Sequence, residues 1–171
     1  MEHAASHHPW LVGLEQSGLG AAMRQSMFLY PAVEVVHILG FVLLVGSIVG
    51  FDLRLLGLTR RLPVAPFAHH AVPLAMLGFF IAAPSGFLLF TTEATSIAVN
   101  PAFQVKLACV ATGLLNAAVF HLGPWRSMVR HKDDMGGGIA ASVPLSARIG
   151  AAVSLLAWCG AVIGGRLIAY L

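Results

Sequence analysis

Four predominantly apolar runs, each of about 20 residues, leave this chain few ways to fold. They cover about Ala32–Phe51, Ala71–Phe90, Ala102–Leu122 and Ile149–Leu171. A helix rises ~1.5 Å per residue, so each run can cross the ~30 Å hydrocarbon layer of a bilayer. In hydrocarbon a backbone must satisfy its own hydrogen bonds, which leaves helices or a closed barrel, and runs without alternation mean helices. The balance of the 171 residues agrees, with 58% hydrophobic and only 10% charged against about 25% charged in a soluble domain. The expected fold is all-α: one membrane domain over residues 1–171, a four-helix transmembrane bundle.

The loops set the expected topology. Arg54, Arg60 and Arg61 follow the first run, and Arg126, Arg130, Lys132 and Arg148 lie between the third and fourth. The segment between the second and third runs, TTEATSIAVNP, has no Lys or Arg. The positive-inside rule then places both basic loops in the cytoplasm and both termini on the opposite side, in a bacterial inner membrane. The same placement accounts for the net charge of +3 without invoking nucleic acid, since no basic stripe with interleaved aromatics is present. Residues 1–27 contain Glu2, Glu15 and three histidines and do not read as a signal peptide.

Residues 10–27 repeat Leu11, Leu14, Leu19, Ala22 and Met23 at roughly helical spacing, which predicts an amphipathic helix lying in the outer interface; a cap over the outer mouth of the bundle is the alternative. Gly46-x-x-x-Gly50 and Gly160-x-x-x-Gly164 are expected to permit close helix approach. Pro84-Ser85-Gly86 predicts a break in the second helix. The stretch Met135–Gly138 is expected to be a mobile loop, and Cys109 and Cys159 to be small core residues rather than a disulfide.

Ionisable groups inside a span are costly and usually functional. Counting turns puts Glu34, His37, Lys106 and Arg166 in one outer layer, contributed by three helices. His69, His70 and His121 fall near the opposite face, with His37 and His121 roughly 20 Å apart in depth. Glu34 and His37 share a helix face at i, i+3, a spacing that bundle metal sites use in duplicate; a simple ion-pair layer is the alternative. A b-type haem would need an axial histidine pair and cations for its propionates. His121 opposite His69 or His70 could supply the pair, and His37 with Lys106 and Arg166 a second group that His3, His7 or His8 could complete. Interfacial snorkelling explains the same inner histidines equally well. Asp52 and Arg54 read as an interfacial charge pair, Asn116 and Cys109 as one face of the third helix, Trp158 and Val162 as a wall beside Arg166, and Met76 as core.

The segments YPAVEVVHILGFVLLVGSIVGFDLRLLG, NPAFQVKLACVATGLLNAAVFH and SLLAWCGAVIGGRLIAYL resemble an uncharacterised family of small four-helix bacterial inner-membrane proteins. That resemblance implies a four-helix membrane protein and no particular activity. In architecture and histidine placement the chain is more distantly similar to cytochrome b561-type membrane proteins, an analogy of fold.

The leading functional expectation is therefore a haem b or related redox module, passing electrons between a quinol and a periplasmic acceptor. Its cofactor-binding residues would be His37, His69, His70, His121, Lys106 and Arg166. Two other expectations stand beside it. One is binding or transport of a small solute or transition-metal ion by the Glu34/His37/Lys106/Arg166 layer, in a homo-oligomer. The other is a structural role within a larger membrane complex. No nucleophile elbow, HExxH or suitably paired carboxylates point to a hydrolase.

Overall fold

A computed structural model describes residues 9–58, 62–123, 125 and 143–170. His3, His7, His8, Arg60, Arg61, Arg126, Arg130, Lys132 and the Met135–Gly138 loop lie outside the described residues. Among those described there are seven α-helices and no strand: α1 Pro9–Glu15, α2 Gly18–Gln25, α3 Leu29–Leu56, α4 Val64–Phe90, α5 Ala94–Val99, α6 Pro101–Leu122 and α7 Leu145–Leu167. Four of them, α3, α4, α6 and α7, are long and apolar enough to span a membrane.

Helix boundaries follow local stop and start chemistry more than hydropathy. α3 runs past Phe51 because nothing breaks it before Gly57, whose φ of 99° ends the helix while its N–H bonds to Leu53 and Arg54 carbonyls. Asp52 and Arg54 are thereby built into the span. α6 starts where Asn100 caps Ala102 and Phe103 amides and Pro101 takes the first helical position. The expected single helix over 10–27 is two, because Ser17 caps α2, accepting from Gly20 N–H at 3.3 Å and donating to Leu14 O at 2.6 Å. A short helix, α5, occupies the segment expected as a plain loop.

α3 packs along both α4 and α7, and α6 packs along α7, while α4 and α6 make no extended contact. The four long helices thus form an open ring in the order α4, α3, α7, α6. The α3–α4 crossing is set by Gly40 and Gly78. A Cβ on Gly78 would sit 2.4 Å from the Leu44 nitrogen, and one on Gly40 2.8 Å from the Ala82 nitrogen. Gly46 faces open space, so Gly46-x-x-x-Gly50 does not mediate the helix contact its spacing suggests. Gly160-x-x-x-Gly164 does, against Cys109 and Lys106 of α6.

α1, α2 and α5 gather at the end where α3 begins and α4 ends. Leu11, Met23, Thr91 and Ala94 are buried there. Glu15 Oε2 accepts from the Thr95 amide at 3.0 Å and its hydroxyl at 2.7 Å, and Arg24 donates to the Thr92 carbonyl at 2.9 Å. Because Thr95 lies in the first turn of α5, Glu15 supplies the acceptor that this helix start lacks within itself. The N-terminal helices are docked on the bundle end rather than merely lying beside it.

Candidate functional site

At the capped end, His37 bridges α3 to α4. Its Nδ1–H donates to the Ala82 carbonyl at 2.9 Å and lies 3.2 Å from Ser85 Oγ. The imidazole rests on Gly86, where a Cβ would come within 2.8 Å of the ring, and stacks on Phe41 with centroids 6.2 Å apart. Pro84-Ser85-Gly86 therefore serves as a seat for His37, inside a helix that continues from Val64 to Phe90. Lys106 is half-buried, its stem against Gly164 and Gly165, and the charges of Lys106 and Glu34 both act on His37. Glu34 itself is exposed. Arg166 is also exposed and turns to Tyr170, donating to its hydroxyl at 2.7 Å with the guanidinium 5.1 Å from the ring centre. Of the four residues counted to one depth, His37 and Lys106 are held within the bundle.

The other described histidines, His69, His70 and His121, stand at the other end: His69 and His70 open α4, well before the Ala82 carbonyl that His37 meets, and His121 closes α6. His69 and His70 are exposed, ring to ring at 5.8 Å, with Nδ1 of His70 donating to Pro66 O at 2.9 Å. His121 is exposed too, donates from Nδ1 to Ala117 O at 2.8 Å, and packs its ring against Phe120 and Trp125. No imidazole pair from two different helices makes ring contact among the described residues. Nor does any group of three or more His, Cys, Asp or Glu side chains converge there as a metal site would need.

A cavity of about 240 Å³ lies between all four long helices. Its walls are apolar: Leu44, Ile48 and Phe51 of α3, Ala75 and Phe79 of α4, Ala151 and Trp158 of α7. Met76 and Phe80 of α4 and Leu114 and His121 of α6 line it while being exposed, which marks its open side as the gap where α4 and α6 part. Met76, expected as core, stands at this opening. The polar lining consists of Ser47, Asp52, Asn116, Ser154 and, at the mouth, His121.

Asp52 is the unusual member. It is 5% exposed, and its Oδ2 is buried with no hydrogen-bond partner, while the Ser154 hydroxyl faces the carboxyl. Arg54, 7% exposed, is used elsewhere, its Nε donating to the Leu62 carbonyl. Residues two apart leave a helix on different sides, so the expected surface charge pair gives way to a lone carboxyl inside the bundle. Asn116 donates from Nδ2 to Gly150 O at 3.1 Å and so ties α6 to α7; Cys109, on its face, packs on Gly160. Sequence reasoning missed Asp52 by one residue. Ending the first span at Phe51 put the carboxylate outside the membrane, whereas reading on to the Gly57 stop would have flagged an ionisable group within a span. Comparison of the chain with family models, with curated proteins and with solved structures returned no match, so the site stands on its own geometry.

Proposed function

We propose that this protein is a membrane-embedded binding module for a lipid-soluble redox ligand of the quinone class, admitted sideways from the bilayer between α4 and α6. The cavity carries this reading: apolar walls, a floor of Asp52, Asn116 and Ser154, and an opening on the side where two spanning helices diverge. Sites for whole organic ligands measure about 300–1,000 Å³. A volume of about 240 Å³ suits a single ring head whose tail stays in lipid. The head then meets Asp52 rather than Lys106 and Arg166, which belong to the other end. The loop charges favour a bacterial inner membrane with the Asp52 end toward the cytoplasm.

Trp158 lines the cavity at 1% exposure and is one of only three tryptophans, so it can report occupancy. A short-tailed benzoquinone should quench the emission of the detergent-purified protein saturably. Trp158→Phe should remove the saturable part, and Ala117→Phe, which fills the opening, should abolish it. Quenching that never saturates, or that ignores Ala117→Phe, rules out this reading.

A haem-linked version draws on a separate observation. Nδ1 of His37, His70 and His121 each donates to a backbone carbonyl, so a neutral ring keeps its Nε2 lone pair outward, the form that ligates metals. His121 with His69 or His70 would hold a haem b at the cavity end, while His37 has no second described imidazole at its depth and Lys106 lies too far away to reach propionates there. Haem supplies one-electron chemistry when bound, and a periplasmic acceptor or a larger membrane complex would take the electrons. Haem-replete expression should then yield a Soret band that His121→Ala removes. A colourless wild-type preparation leaves the module dependent on a partner for its electrons.

A further inference from the structure

We infer that the cavity distinguishes the reduced from the oxidised ligand by hydrogen-bond direction, with Asp52 taking up or releasing the linked proton. This rests on the quinone-class reading above. The discriminating group in the polar lining is Asp52, because a carboxylate only accepts whereas the Ser47, Ser154 and Asn116 side chains can donate or accept. Asp52 Oδ2 is buried without a partner. Asn116 gives one amide N–H to Gly150 O, and its Oδ1 is an acceptor. A hydroquinone head brings two hydroxyl donors and satisfies both oxygens. A quinone head brings carbonyls alone, and can be met at Asp52 only if the carboxyl carries a proton to donate.

Linkage then gives the two forms opposite pH dependence. The hydroquinone binds the carboxylate, so its affinity rises with pH through the titration of Asp52. The quinone binds the acid, so its affinity falls over the same range. One linked proton changes affinity by about tenfold per pH unit at most. Of the groups around Asp52, α4 and α7 present no titratable side chain to the cavity, Arg54 is not among its lining residues and donates to Leu62, and α6 presents His121. His121 is therefore the control.

Short-tailed benzohydroquinone, kept anaerobic with reductant, and its oxidised partner are titrated against the full-length protein in detergent, from about pH 5 to about pH 8, spanning the range in which a buried carboxyl or a histidine titrates. Trp158 emission is the readout. Slopes of opposite sign are expected, retained in His121→Gln and flattened in Asp52→Asn. Parallel or flat slopes in the wild type overturn the inference while leaving the binding site in place, a result that needs no variant to fold. Opposite slopes that vanish in His121→Gln and persist in Asp52→Asn move the proton to His121 and equally overturn it. Absence of saturable binding by either form removes the site and the inference together.

Discussion

Asp52 owes its position to the helix that carries it past Phe51. A carboxyl buried with one oxygen unpaired is a poor choice for stability: an unsatisfied buried polar group costs about 1–3 kcal/mol, and apolar replacement of buried charges is often stabilising. Asp52→Leu should therefore raise the unfolding midpoint of the ligand-free protein, by about 1–3 kcal/mol in free energy, while abolishing saturable ligand binding. A lowered midpoint would mean that the carboxyl holds the fold rather than the ligand. The sequence disclosed residue chemistry unevenly. The depths of Glu34, His37, Lys106 and Arg166 could be counted at a fixed rise per residue, and His37 and Lys106 do lie inside. Direction around the helix axis could not be counted, because it depends on which neighbour each helix packs against. That is why Arg166 turns out to pair with Tyr170 on an exposed face and Met76 to border the cavity mouth.

Among the elements, the four spans were legible because hydrocarbon imposes one length and one periodicity on each of them. The start of α6 lies one residue before the apolar run, at Pro101, because the Asn100 side chain and the proline ring satisfy the first turn. The other helix ends eluded hydropathy, since Gly57 and Ser17 act through backbone conformation and capping. Helix contacts were half legible. Two small-residue motifs share a spacing, yet Gly160-x-x-x-Gly164 is packed and Gly46 is open. The α3–α4 crossing uses Gly40 and Gly78, which lie on different helices and form no motif within either. Gly78→Val should accordingly destabilise the detergent-solubilised protein by about 1–3 kcal/mol, as overpacking does. Gly46→Val should stay within about 0.5 kcal/mol of wild type. Equal loss from both, in thermal unfolding followed by tryptophan emission, would place the tight crossing elsewhere.

At the scale of the whole molecule, four spans suggested a four-helix bundle, and among the described residues the bundle takes the form of an open ring. Openness depends on which pairs of helices meet, and no pattern within a single helix encodes that. The N-terminal helices close the end nearest His37 through Leu11, Met23 and the Glu15–Thr95 contact. The glycine crossings bind α3 to α4 and α6 to α7, whereas α3 and α7 meet along a slimmer seam at Leu44, Trp158 and Ala161. The molecule thus consists of two tightly packed helix pairs joined along one seam. Trp158 belongs to that seam and to the cavity wall at once, so a guest of the proposed kind, entering between the free margins of α4 and α6, would touch the residue on which the two pairs meet.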